Sequence, residues 1–163
     1  LMTYDFYTSG DTAGHHSNLY PPEDYDRDAS AHKSVRIFLD AGVPAEKLVM
    51  GVPFYGRSWI MKSTDKNGIN RAVEGRARGG GYTYIKDSLV NQQGLVRYWD
   101  EKAQAPYLFN SETRQLVTYD DEESVRLKCE YVLDNHLAGM MFWQYASDPK
   151  EYLLDAMNAH LYP

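Results

Sequence analysis

The stretch LMTYDFY, residues 1–7, is an apolar run of strand length that ends in aromatic and charged side chains. The same pattern recurs in GVPFYGRSW, residues 51–59, and in GMMFWQYASD, residues 139–148. Such runs are typical of strands buried within a parallel sheet. In α/β barrels, the side chains at the carboxyl ends of the strands form the active site. We therefore expect three parallel strands whose carboxyl ends open into one site.

The residues between the first two stretches predict a loop and a helix. Residues 6–25 are polar and contain several glycines and prolines, which indicates a long surface loop. A helix follows from 29 to 41, with Asp28 as its N-cap and Gly42 as its stop. Its buried face at helical spacing would consist of Ala31, Val35, Phe38 and Leu39. With a strand at 48–54, these elements form one right-handed βαβ unit.

The middle of the chain has a different pattern of turns and apolar runs, which predicts a small α+β module. A glycine turn is followed by a short helix at 84–90. Three β-rich runs come next, at 95–99, 106–109 and 115–119, with a hairpin turn between the last two. A short helix followed by several β-rich runs differs from the alternating strands and helices on either side, so we expect an insertion into the main fold.

The barrel pattern resumes after this module. Asp121 would cap a helix over 122–135, whose buried face contains Val125, Cys129, Val132 and Leu133. Cys129 is the only cysteine, so no intrachain disulfide is possible and a packed thiol is expected. A last strand at 139–145 and a helix at 150–160 follow. The sequence thus predicts three parts: residues 1–58 with two strands and a helix, 59–117 with the α+β module, and 118–163 with the last helices and strand.

Composition narrows the range of partners. The chain has 17 basic and 23 acidic residues, and this net charge of −6 argues against nucleic acid or an anionic membrane as a partner. No apolar run reaches the roughly 18–20 residues that span a bilayer. Aromatic residues make up 13% of the chain. Their flat rings with polar rims suit the faces of sugar rings, but they suit a packed core equally well.

The candidate site residues lie at or near the ends of the three predicted strands: Met2, Tyr4, Asp5, Tyr55, Arg57 and Trp143. Two other clusters are not assigned to the site. His15 and His16 are adjacent, and neighbouring side chains rarely converge on one ion, so we expect no metal there. The acidic run at 120–123 is typical of a helix start because of the helix macrodipole, so we interpret it as a cap and not as a paired-carboxylate site.

The three stretches quoted above together resemble the sixth, seventh and eighth barrel strands of family-18 glycoside hydrolases, the chitinase family. Residues 59–117 are placed like the chitinase insertion domain, between the seventh and eighth strands. The resemblance implies an α/β fold, namely the last three strands of a (β/α)8 TIM barrel with a small α+β insertion. The aspartate-rich motif of the family's fourth strand, which ends in the glutamate general acid, is absent from these residues.

The resemblance also implies catalytic roles for Tyr4 and Asp5. The tyrosine hydroxyl would contact the acetamido group of the substrate, the aspartate would lie near the catalytic glutamate, and Met2 would line the same sugar subsite. Tyr55 and Arg57 would contact sugar near the point of cleavage. Enzymes of this family use the substrate's own acetamido oxygen as the nucleophile, so neither a cofactor nor a metal is implied.

Trp143 would form the apolar floor beneath the same sugar. The implied activity is hydrolysis of β-1,4-linked N-acetylglucosamine polymers with retention, and the partner is chitin or one of its oligosaccharides. Two alternatives stay open: a non-catalytic lectin on the same fold, and a hydrolase of peptidoglycan or N-linked glycans. A secreted, periplasmic or cell-surface location is also implied. Without the general acid we expect the chain alone to be inactive, and unpaired sheet edges predict self-association.

Overall fold

The structure, a computed structural model, describes residues 1–23 and 28–162. Within these residues the chain forms a two-stranded parallel sheet, a six-stranded sheet and four α-helices. The helices are α1 (Ala31–Asp40), α2 (Tyr82–Ser88), α3 (Glu122–Asp134) and α4 (Tyr152–Leu161). The strands are β1 (Thr12–Ala13), β2 (Val49–Pro53), β3 (Arg57–Met61), β4 (Arg71–Ala77), β5 (Val96–Asp100), β6 (Ala105–Phe109), β7 (Gln115–Thr118) and β8 (Gly139–Trp143). None of the helices in the described part of the chain is long and apolar enough to cross a membrane.

The parallel sheet consists of β2 and β8, both of which the sequence predicts as buried strands. Their register pairs Val49 with Gly139 and Pro53 with Trp143, so the two carboxyl ends lie side by side. Apolar side chains of these strands pack with α3 and α4 in one core cluster. Cys129 is buried in that cluster as a free thiol, which confirms the prediction made for it.

The opening segment, residues 1–7, lies beside β2 but is not a β-strand, so the prediction of three parallel strands is wrong in this respect. The reason is the side chain of Thr3. Its hydroxyl donates to the Gly51 carbonyl at 2.6 Å and accepts from the Gly51 amide at 3.1 Å. A side chain therefore occupies both backbone groups that a neighbouring strand would use. A Cβ atom on Gly51 would lie 2.5 Å from the Leu1 carbonyl oxygen, so this close approach requires glycine.

The predicted surface loop at residues 6–25 is instead buried in its centre, at residues 13–19, whereas residues 9–12 are exposed as predicted. Within this stretch, β1 pairs antiparallel with β4. The prediction relied on polarity, but polar groups are readily buried when hydrogen-bond partners are available. Residues 24 and 25, at the end of the predicted loop, lie outside the described residues.

α1 confirms the predicted helix but not its cap or its whole buried face. The N-cap is Ser30 and not Asp28, because the Ser30 hydroxyl accepts from the Lys33 amide at 3.1 Å. Two of the four predicted core residues are buried, whereas Phe38 is 41% exposed and Leu39 is half-buried. The last turn of the helix extends beyond the packed core, which helical spacing alone does not reveal.

The middle of the chain forms an antiparallel sheet in the order β1-β4-β3-β7-β6-β5. α2 and the strands β5, β6 and β7 lie within two residues of their predicted positions. β3 and β4 were not predicted. β4 has the sequence RAVEGRA, and its side chains alternate between half-buried and exposed, so no apolar run marks it. A separate cluster that includes Trp59, Met61 and Phe109 forms the core of this sheet.

α3 begins at the predicted cap. The Asp121 side chain accepts from the Ser124 amide at 3.0 Å, and the Ser124 hydroxyl accepts from the Asp121 amide at 3.0 Å, which completes a capping box. Three of its four predicted core residues are buried, but Leu133 is 46% exposed. Leu133 lies at the edge of the apolar stripe, where packing against neighbouring elements ends.

A fully buried ion pair lies where β7 leads into α3. The Lys128 ammonium donates to both carboxylate oxygens of Asp120 at 2.7 Å and to the Ser17 carbonyl at 2.6 Å. The hydroxyls of Ser17 and Ser124 also donate to Asp120, each at 2.7 Å. Burial lowers the pKa of Lys128, and the adjacent carboxylate opposes that shift. Of the acidic run interpreted as a cap, Asp121 caps the helix while Asp120 instead forms this ion pair.

We expect Lys128→Met to lower the free energy of unfolding by about 3–5 kcal/mol, because it leaves the Asp120 carboxylate buried without its partner. Chemical denaturation followed by circular dichroism measures this change. The double variant with Asp120→Asn should recover part of the loss, since no unpaired charge remains. Lys33→Met, which removes a lysine from an exposed ion pair, is the matched control and should change stability little. Equal losses in the two single variants would contradict the interpretation.

Candidate active site

The carboxyl ends of β2 and β8 and the end of the opening segment border one open cleft. The residues that line it are Met2, Tyr4, Asp5, Tyr55 and Trp143. Tyr55 follows β2 by two residues, and Trp143 is the last residue of β8. The structure therefore brings five of the six candidate residues around one cleft. The sixth, Arg57, lies directly beside Asp5 as the first residue of β3.

Two large apolar side chains are exposed in this cleft. Trp143 is 57% exposed and Met2 is 75% exposed. Exposed apolar surface bordered by polar groups in a concave site is typical of a ligand-binding surface. The flat indole provides the largest apolar face available to a ligand here, at the point where β8 ends.

Asp5 and Arg57 form a bidentate ion pair at one side of the cleft. Arg57 donates from Nε to Oδ1 at 2.9 Å and from Nη2 to Oδ2 at 2.7 Å. The guanidinium also lies 5.3 Å from the centre of the Tyr55 ring. Bidentate pairing restricts the orientation of both partners. The ion pair thus links the opening segment to β3 and holds the carboxylate in one position.

Asp5 is ionised in this arrangement. Burial opposes its charge, but the nearby His16 imidazole and the hydrogen bonds from Arg57 and Tyr55 outweigh burial and hold the pKa of Asp5 well below its usual value. A carboxylate in this state accepts hydrogen bonds and stabilises nearby positive charge. It does not donate a proton at neutral pH, because almost no protonated form is present.

Tyr4 and Tyr55 keep their phenolic protons. Burial and the negative charge of Asp5 raise the pKa of Tyr4. Burial, together with the hydrogen bond to Asp5, also raises the pKa of Tyr55. The two rings meet edge to face with their centroids 6.3 Å apart. The Tyr4 phenol can therefore donate to a ligand beside Trp143, whereas the Tyr55 phenol donates to Asp5.

Sequence reasoning missed one residue of this site, His16. The side chain is fully buried, its Nδ1 lies 3.4 Å from Asp5 Oδ1, and its ring centroid lies 5.5 Å from that of Tyr55. The neighbouring His15 turns elsewhere, with Nε2 3.1 Å from Asp100 Oδ2. The two histidines thus contact different carboxylates. Nothing in the local sequence signals this, because the contact with Asp5 depends on how the loop folds back.

Across residues 1–23 and 28–162, no group of three or more histidine, cysteine, aspartate or glutamate side chains is arranged to bind a metal ion. The arrangement instead combines an apolar indole face, a phenol donor in Tyr4 and one fixed negative charge. These groups suit a neutral ligand that carries hydroxyl or amide groups and an apolar face.

Comparison with known proteins identifies relatives of this chain. Residues 1–148 match the family model described as Glycosyl hydrolases family 18. Chitinase A1 from Niallia circulans is 34% identical over 179 residues, which cover 99% of this chain and 25% of that protein. A solved glycoside hydrolase family 18 N-acetylglucosaminidase from Paenibacillus barengoltzii superposes with a TM-score of 0.93 and 41% identity, covering 98% of this chain and 47% of that one.

A third relative was solved with a sugar. It is a variant of the GH18 chitinase from Cycas revoluta in complex with (GlcNAc)4, with a TM-score of 0.86 and 28% identity over 98% of this chain and 45% of that one. The chain therefore spans about a quarter of the length of the curated chitinase and about half of each solved chain.

We expect Asp5→Asn to reduce stability in a way that depends on pH. Because the folded pKa of Asp5 is lowered, its contribution is fully present above the unfolded pKa of about 3.9 and is lost as the pH falls further towards the folded pKa. Thermal unfolding midpoints measured from about pH 7 to about pH 2 should therefore differ most at high pH and converge at low pH. When Arg57→Met is already present, the difference in unfolding midpoint caused by Asp5→Asn should be smaller, because the ion-pair partner of Asp5 is gone. A difference in unfolding midpoint that stays constant from about pH 7 to about pH 2 would contradict the lowered pKa of Asp5.

Proposed function

The chain belongs to glycosyl hydrolases family 18, and from this premise we propose that it forms the carboxyl-terminal part of a catalytic domain that hydrolyses β-1,4-linked N-acetylglucosamine polymers. In this proposal the opening segment, β2 and β8 correspond to the sixth, seventh and eighth positions of a (β/α)8 barrel. Residues 59–117 correspond to the insertion that forms one wall of the cleft. The partner is chitin or an oligosaccharide derived from it.

One observation carries the proposal: the exposed Trp143 indole lies in the same cleft as the ionised Asp5 and the two phenols. The faces of pyranose rings are apolar and their rims are polar, so an indole floor with hydrogen-bond donors at its edge fits a sugar ring. The relative from Cycas revoluta, solved with (GlcNAc)4, supports this choice of ligand.

The proposed chemistry uses the substrate's own acetamido group. The acetamido oxygen attacks the anomeric carbon and forms an oxazolinium ion, while the glycosidic oxygen leaves with a proton from a general acid. Tyr4 would hold the acetamido group in position, so that attack occurs from a fixed geometry. The negative charge of Asp5 would stabilise the positive charge that develops on the oxazolinium ion. Tyr55 and Arg57 would contact sugar near the point of cleavage and hold Asp5 in place.

The general acid in this scheme is not one of the described residues. Among the described residues that line the cleft, Asp5 is the only carboxylate, and hydrogen bonding keeps it ionised. The same observation favours a second candidate function, a lectin that binds the oligosaccharide without cleaving it. Turnover of a chromogenic N-acetylglucosamine oligomer by the full-length protein would support the hydrolase, and binding without turnover would support the lectin.

We expect Trp143→Ala to weaken binding of the N-acetylglucosamine tetramer about tenfold or more, because the apolar floor under the sugar is lost. Isothermal titration calorimetry on the purified chain measures the affinity. Tyr162→Ala is the matched control, since Tyr162 is an exposed aromatic residue at the end of α4 and outside the cleft. Equal affinity in the Trp143→Ala variant and the native chain would exclude Trp143 as the floor.

We expect the isolated chain to show no turnover of a chromogenic N-acetylglucosamine oligomer above the uncatalysed rate. General acid catalysis contributes about 10²–10⁴-fold, and no side chain that lines the cleft in the described residues can supply it. Release of the chromophore, followed by absorbance, tests this expectation. Turnover by the isolated chain would contradict the proposed division of roles, because a described side chain would then have to supply the proton.

A further inference from the structure

His16 is a buried imidazole with no assigned role in the chemistry above. Its side chain is inaccessible to solvent, and neither ring nitrogen has a well-formed hydrogen bond within the described structure. The nearest polar contact is the 3.4 Å approach of Nδ1 to Asp5 Oδ1. A buried polar group without a well-formed hydrogen bond destabilises the folded state, and such groups are rare in native proteins.

The imidazole is neutral. Burial lowers the pKa of His16, the charges of Asp5 and Asp120 oppose this shift, and the charge of Arg57 adds to it. A neutral imidazole carries one N–H group. When that proton is on Nδ1, the adjacent carboxylate oxygen is Asp5 Oδ1, at 3.4 Å.

The position of His16 is set by the buried ion pair. Its neighbour Ser17 receives hydrogen bonds from Lys128 at the carbonyl, at 2.6 Å, and at the hydroxyl, at 2.8 Å. The same hydroxyl donates to Asp120 at 2.7 Å. Since all of these groups are buried, the loop cannot shift at this point without breaking a charged network.

The backbone of His16 also contacts the opening segment. Its carbonyl accepts a hydrogen bond from the Phe6 amide at 3.1 Å, one residue after Asp5. Asp5 has a φ of +62°, in the left-handed region that non-glycine residues seldom adopt. Such a conformation persists only where the surroundings determine it. Here the Phe6–His16 hydrogen bond restrains the backbone next to Asp5, and Arg57 restrains its carboxylate.

We propose that His16 is a positioning residue for Asp5, and that the buried Lys128–Asp120 ion pair holds it in place through Ser17. This inference rests on the proposed function, because the orientation of Asp5 has a consequence only if Asp5 faces a bound sugar. His16 does not contact the ligand in this proposal. It fixes the carboxylate that does.

The test compares two substitutions of His16 in the purified chain. His16→Asn keeps an N–H donor, because Nδ2 of asparagine occupies the position of Nδ1 of histidine. His16→Leu fills a similar volume without a donor. We expect the acid dissociation constant of Asp5, measured by carbon NMR of its carboxyl group, to fall about tenfold in His16→Leu. In His16→Asn it should stay within about threefold of the native value. Affinity for the N-acetylglucosamine tetramer should follow the same order.

Equal Asp5 titration in the native chain and both variants would overturn the proposal, since a merely structural residue does not change that carboxylate. An altered Asp5 titration with no tetramer binding by any form would support the positioning role and reject the proposed function. If His16→Leu does not fold, Ser17→Ala takes its place: it removes the hydroxyl and keeps the carbonyl, and an unchanged Asp5 titration there would overturn the proposal.

Discussion

Asp120 and Lys128 form an ion pair without solvent contact, and much of the arrangement around it depends on that pair. Removing two charges from water costs several kcal/mol for each ion unless hydrogen bonds replace the lost hydration. Here Lys128 donates to the carboxylate and to Ser17, while the hydroxyls of Ser17 and Ser124 donate to Asp120. These groups come from the end of β7, from α3 and from the loop at residues 13–19. The pair therefore joins the six-stranded sheet to the helical layer and holds a polar loop inside the molecule.

The cleft has two supports that differ in chemistry. On the polar side, contacts run from the ion pair through Ser17 and His16 to Asp5, and from there to Arg57 at the start of β3. On the apolar side, Trp143 is placed by the parallel pairing of β8 with β2, which does not involve those polar contacts. A change to the polar network would therefore alter the carboxylate and leave the apolar floor in place. This separation explains why the two kinds of site residue can be tested independently.

The sequence was informative where burial follows apolar periodicity. β2, β8 and α3 are continuous apolar runs or stripes, and Asp121 is a cap with a local signature, so these elements were predicted nearly to the residue. Two other predictions failed because of long-range polar contacts. The opening segment is not a strand because the Thr3 side chain takes the backbone hydrogen bonds of Gly51. The polar loop is buried at Ser17 because Lys128, distant in sequence, donates to the Ser17 carbonyl. The structure brings the candidate residues at the strand ends together around one cleft, but the sequence did not indicate His16, since its contact with Asp5 depends on how the loop folds back.

The state of Asp5 also explains why the proposed hydrolysis would require an acid other than Asp5. A carboxylate that stabilises positive charge needs donors around it, which lower its pKa, whereas a carboxylic acid that protonates a leaving group needs an environment that raises its pKa. One side chain cannot meet both requirements in one place. Here Arg57, Tyr55 and His16 all favour the ionised form of Asp5. The described cleft thus holds a carboxylate suited to stabilising positive charge, and under the proposed function cleavage depends on an acid held in an environment of the opposite kind.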